Sequence, residues 1–291
     1  MLTAHHLVEA LRKGNMTTPP LAAGNVRNEE TYAAVQSEWR READVIAAAH
    51  KFDFGLQLEA IADDAALRDT ATEFICAGVF RLPFDNVYYE GSADLGPGRL
   101  TAGVIASTQA ATVDEREVTD EYVLVFRPFI RRPDGAWVDT GVLGVVRPNA
   151  DVDFNTTQQY AFGDETQRGD GVKHLLYAAM RLVLSGTVAL QSRDTATERV
   201  EAPARLNGRR AKRGKPPLFE HRIVRVAPDL SDVLVSGSDR TRRSPRLHWR
   251  RGHVRTLHSG GKVPVSPCLV GRGDYGFVDH NYRYVAKEGN A

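Results

Sequence analysis

Residues 121–147 read EYVLVFRPFIRRPDGAWVDTGVLGVVR, and this stretch decides the fold. Runs of β-branched and aromatic residues flank Arg132-Pro133-Asp134-Gly135, where proline and glycine occupy the favoured positions of a β-turn. The stretch is therefore expected to form an antiparallel hairpin, with 136–146 as one returning strand. Such a hairpin closes locally and needs no crossover helix. Just upstream, NVYYEG (86–91) and RLTAGVIAST (99–108) show the same strand chemistry between Gly, Pro and Asp punctuation. Downstream, after a polar loop at 148–170, GVKHLLYAAMRLVLSG (171–186) has the period of an amphipathic helix that packs on the sheet.

The first eighty residues have a helical period instead. In LTAHHLVEALRKG, Leu2, Leu7, Val8 and Leu11 share one side and Gly14 is the stop. MTTPPLAAGN (16–25) is a loop. Helices are then expected over 28–51, where Tyr32, Val35, Trp39, Val45 and Ile46 lie near a shared face, and over 56–80. Helices segregated before and after antiparallel strands argue for α+β: N-terminal helices, then a mainly antiparallel sheet with a packed helix, then a basic β-rich C-terminal module. The expected division is an acidic domain at 1–191, a polar basic linker at 192–214 and a hairpin-rich module at 215–291. Within that module, 216–226 and part of 228–246 read as strands, 253–267 as a second hairpin, and 276–287 as a last strand.

Composition is that of an ordinary globular chain, at 42% apolar and 26% charged residues. No apolar run is long enough to span a membrane, and the N-terminus lacks a signal-peptide core, so a cytoplasmic protein is expected. Cys76 and Cys268 stand far apart without a CxxC and read as small buried hydrophobes. The net charge of +1 conceals a split. Residues 201–291 hold 19 of the 38 Lys/Arg but only 8 of the 37 Asp/Glu, a net of +11 against −10 for residues 1–200. Either the basic end meets an anionic partner, or the two halves attract each other.

Three readings compete for RLHWRRGHVRTLHSGGKVPVSPCLVG (246–271). His248, His253 and His258, spaced by five, share neither a helix face nor a strand face, and flanking arginines repel a divalent cation, so no metal and no cofactor is expected. A metal-independent ribonuclease is chemically possible, with His248, His253 or His258 as acid and base beside Arg251, Arg255 or Lys262; catalytic residues stay unassigned. The third is a binding surface. An unbroken strand at 249–257 would align Trp249, Arg251, His253, Arg255 and Leu257 on one face, while Arg242, Arg243, Arg246, Arg209, Arg210, Lys212, Arg213 and Lys215 extend the charge. Elsewhere, DEREVTDE (114–121) reads as a solvated loop, and Glu90 in RLPFDNVYYEG (81–91) fits either a groove or a packed edge.

LNGRRAKRGKPPLFEHRIVRV (206–226) and SPRLHWRRGHVRTLHSGGKVPVSPCLVG (244–271) resemble the C-terminus of the second family of type V-A anti-CRISPR proteins, found among phage and plasmid proteins. The matching positions are Asn207, Lys215, Glu220, His248, Arg250, Arg251, Gly252, His253 and Arg255; with Arg209, Arg210, Arg246, Trp249 and Lys262 they make up the expected binding set. The resemblance implies a protein that suppresses production of the effector nuclease, not the finished enzyme. Its implied partners are the target's nascent polypeptide and, beside it, the ribosome and mRNA or a host nuclease. No catalytic residue carries over.

Overall fold

The computed structural model describes residues 2–17, 29–55, 61–62, 64–94, 99–113, 116–146, 158–161, 170–226, 246–270 and 272–277. Among these are five helices: α1 (Ala4–Lys13), α2 (Glu29–Ala48), α3 (Ala65–Cys76), α4 (Asp170–Leu190) and α5 (Ala204–Ala211). The main sheet runs β7 (Gln158–Ala161), β6 (Val142–Val146), β4 (Arg116–Arg131), β3 (Arg99–Val113), β2 (Asn86–Asp94), β1 (His50–Gly55), β9 (His221–Val226) and β8 (Thr195–Val200), with β5 (Trp137–Asp139) also on β4. Beyond it stand a three-stranded sheet of β13 (Cys268–Val270), β10 (Arg246–Arg250) and β14 (Arg272–Phe277), and a hairpin of β11 (His253–Thr256) and β12 (Lys262–Val265). The fold class is α+β.

Strand alternation sends successive side chains to two different cores. Tyr88, Ile105 and Phe129 pack with Leu7, Val8 and Leu11 of α1 and Trp39 and Ile46 of α2. Val87, Tyr89, Val104, Ala106 and Phe126 pack with Leu67 and Phe74 of α3 and Val183 and Leu184 of α4. The sheet is thus covered on both faces. Gly14 ends α1 at φ 69°, its N–H bonded to the carbonyls of Ala10 and Leu11, and Asp64 caps α3 by accepting from the Leu67 amide.

The expected hairpin is present. Arg132 N–H donates to Ala136 O at 2.9 Å, Gly135 takes φ 89°, and β4 pairs with β5 in antiparallel register. Its return is two strands, not one. β5 pairs with Phe129–Arg131 and β6 with Leu124–Phe126, leaving a gap opposite Arg127 and Pro128, where the proline has no N–H to offer. Gly141 turns the chain there at φ 65°.

Five other expectations change, the first being that the polar loop expected at 148–170 contains β7, paired with β6. His50–Lys51 does not end a helix but opens β1, which runs parallel to both β2 and β9. The acidic run at 114–121 belongs to β4 from Arg116 onward. The stretch 192–214 is not a structureless linker: it holds β8, paired with β9 along its whole length, and α5. Finally, 249–257 is no continuous strand, because it breaks between β10 and β11 at Arg251–Gly252. The strand expected within 228–246 falls, before Arg246, outside the described residues, as does 278–287 of the last expected strand.

Charged groups buried under α1 and α2 are paired, while Trp137 Nε1 in the same core has no hydrogen-bond partner among the described residues. Arg127 donates to Asp139 Oδ2 at 2.7 Å, Trp39 Nε1 donates to the same oxygen at 2.6 Å, and Glu42 lies 3.4 Å from the guanidinium. Glu90 accepts from Thr3 N–H, Thr3 Oγ1 and Tyr88 OH, which fastens the start of α1 to the sheet. Burial still dominates and pushes its carboxyl up to about 7. Glu90 is therefore a packed residue of a central strand, not the lip of a groove.

Candidate nucleic-acid interface

Among the described residues, the basic segments fall on two surfaces. The first is built by α5 and the chain that follows it. Asn207 clamps this segment in both directions: its Nδ2 donates to Leu218 O at 2.9 Å and its Oδ1 accepts from Leu218 N–H at 2.7 Å. Arg210 Nε donates to Pro216 O at 2.7 Å, Lys215 N–H donates to Arg210 O, and Gly214 makes the reversal at φ 63°. Beyond the turn, Glu220 pairs with Arg199 of β8 at 2.7 Å, and Arg225 with Glu198 at 2.8 Å. Asn207, Arg210 and Glu220 therefore act on their own chain. Arg209 and Lys215 stay exposed, together with Arg205, Lys212 and Arg213.

This surface lies on the α1/α2 side. Phe219 packs against that core, and Lys51 Nζ stands 4.3 Å from its ring centre. The charges of Arg210, Lys215 and Arg131 reach α1. Burial lowers the His5 pKa to about 4, aided by His6 and Arg210, and His6 is lowered by burial and then by Arg131 and Arg210. His5 is thus neutral at pH 7. Nothing in the sequence signals this convergence, because His5 and His6 lie 125 or more residues from Arg131, Arg210 and Lys215 along the chain.

The second surface is the RRGHVR segment with its hairpin, on the α3/α4 side. Trp249 is 4% exposed and belongs to that core, with Val254 packed against it. Gly252 N–H donates to Thr70 Oγ1 at 2.9 Å, and a Cβ there would fall 2.5 Å from Val265 O and 2.8 Å from Thr70 Cγ2. Only glycine fits that approach. Glu73 of α3 takes both remaining bonds: Oε2 accepts from Arg251 at 2.7 Å and Oε1 from Val254 N–H at 2.6 Å. The basic end is thus partly tied to the acidic body.

The expected one-face ladder does not exist, since Trp249 is buried and Arg251 is engaged by Glu73. His248 is half-buried in β10, next to Arg250, which is exposed; the side chain of Arg246, and all of Arg242 and Arg243, lie outside what the structure describes. His253, Arg255, His258 and Lys262 are exposed on the hairpin, with His253 opposite Val265 and Arg255 opposite Val263. Among the described residues no group of three or more His, Cys, Asp or Glu is placed to hold a metal ion. Cys76 is exposed and Cys268 intermediate, against the expectation of buried thiols.

Fold and surfaces together define an α+β protein with helices on both sheet faces and ordered cationic segments on opposite layers. Among the described residues no helix is long and apolar enough to cross a membrane. The chain belongs to the Anti-CRISPR type V subtype A2 family, whose sequence profile matches residues 57–272, from the segment before α3 to the start of β14. No curated protein and no solved structure matches it.

Proposed function

We propose that this protein lowers the expression of a type V effector nuclease by recognising the effector's N-terminal polypeptide as it is made and promoting decay of its message. The observation that carries the reading is the family match, which spans both the body and the basic segments. Two physical features support it. The exposed cationic residues of α5 attract a polyanion and raise its local concentration. A nascent chain and its message emerge on one ribosome, so a protein that holds one is held near the other, and the second contact gains from effective concentration.

The test separates peptide from codons. The effector's first codons are recoded synonymously, and message and polypeptide are measured in cells with and without this protein. Suppression is expected to persist when the peptide is kept, and to vanish when the peptide is changed with minimal change to the nucleotides. Suppression that follows the nucleotide sequence would refute peptide recognition.

A further inference from the structure

We propose that α5 is a docking surface for the phosphate backbone of single-stranded RNA, contacted by Arg205, Arg209 and Lys212. The choice of RNA over other polyphosphates rests on the preceding reading; the choice of this surface does not. At 3.6 residues per turn, Arg205, Arg209 and Lys212 occupy positions i, i+4 and i+7 and form one stripe about 10 Å long. Asn207 and Arg210, which fasten the helix to the segment at 216–218, lie roughly 160° around the axis from that stripe. The helix is held by its inner side and points its cations outward.

The inner side of this helix clamps the segment at 216–218, and its outer stripe has no structural partner among the described residues. None of its residues is buried, so it adds nothing to the core. Residues 202–219 contain no carboxylate. The described ion pairs nearby neutralise Arg199 and Arg225 and leave the stripe alone. The Asn207 clamp and the Gly214 turn fix the helix before any partner arrives, which lowers the ordering cost of binding. Guanidinium groups match phosphate oxygens in pairs. Leu206, 45% exposed, stands beside the stripe and offers an apolar contact to base faces, which a single strand presents and a duplex hides in its stack.

The experiment is fluorescence anisotropy of the purified full chain with a labelled single-stranded RNA of about 20 nucleotides, over a series of salt concentrations. Three removed phosphate contacts should make the slope of log affinity against log salt shallower by about 2 in the triple variant Arg205→Gln/Arg209→Gln/Lys212→Gln. The hairpin variant Arg255→Gln/Lys262→Gln is expected to keep the wild-type slope. If the triple variant folds poorly, Arg209→Gln alone should shift the slope by about 0.7. A wild-type slope in the α5 variants overturns the proposal, and so does loss confined to the hairpin variant. Competition by polyglutamate as effective as by unlabelled RNA would overturn it too and identify an acidic peptide as the ligand. No ribosome or effector is present, so this test and the codon-recoding test fail independently.

Discussion

Replacing Glu73 with alanine should release the hairpin from the body. In the intact protein Glu73 takes two bonds from the RRGHVR segment, Arg251 at 2.7 Å and Val254 N–H at 2.6 Å. The first is an ion pair whose side chains are 52% and 30% exposed, so solvent screening holds it to about 0.5 kcal/mol. The second joins a part-buried amide to a carboxylate and contributes about 1.5–3 kcal/mol. Together they favour docking by about 2–3.5 kcal/mol, while the anchors Trp249 and Thr70 remain. The informative reporter is the Gly252 amide, because its own acceptor, Thr70 Oγ1, is untouched by the substitution. Native-state hydrogen exchange of that amide should accelerate roughly 30- to 300-fold in Glu73→Ala, at about 1.4 kcal/mol per tenfold. Glu73→Gln, which keeps an acceptor for Val254, should lie between. If Gly252 exchanges at the wild-type rate in Glu73→Ala, the hairpin is held by its apolar anchors alone and the docking argument fails.

Two further perturbations probe the buried polar groups on the α1/α2 side. The Glu90 carboxyl is pushed up to about 7, so the native state holds its proton more tightly than the unfolded chain; its contribution is complete at low pH and is lost as pH rises through 7. Relative to Glu90→Gln, wild type should lose about 3 kcal/mol in urea denaturation between pH 5 and 8, and a flat or rising difference would contradict this. The comparison must be a difference, because His5, lowered to about 4, gains stability as pH rises towards 6.5. Arg127→Leu leaves Asp139 buried without its cation and should cost about 3–5 kcal/mol, partly recovered by Arg127→Leu/Asp139→Asn; a loss below ~1 kcal/mol would show the network to be dispensable.

Where the sequence could be read and where it could not follows from burial. The turn at Arg132–Gly135 and the Gly14 stop were legible because each sets a breaker beside a clear period, and the helix over 171–186 was legible from its period alone, since it runs on through Gly186 to Leu190. β1 was hidden because all four of its central residues, Lys51–Phe54, are buried; a strand covered on both faces loses polar–apolar alternation, and Lys51 and Asp53 mask what remains. β8 and α5 were hidden for the opposite reason. An edge strand exposed on both faces and a helix that buries nothing have no hydrophobic period, so the segment reads as a linker. In the candidate interface, residue types were legible and roles were not. The motif positions Asn207, Arg251 and Gly252 hold the structure together through Leu218, Glu73 and Thr70, partners 11 to 182 residues away. On α5 and its C-cap, subtracting those internal contacts leaves Arg205, Arg209 and Lys212 as the outward cations, of which only Arg209 stood in the expected binding set.

The central claim is that suppression acts while the effector is being translated. The most direct measurement is the half-life of the effector's message in cells expressing this protein, compared between a translated message and one whose start codon has been abolished. Both effector polypeptide and message should fall for the translated form, and the untranslated message should decay as it does without the protein. Equal loss of both messages, or a blocked nuclease whose message and polypeptide stay at normal levels, would contradict the proposed mechanism.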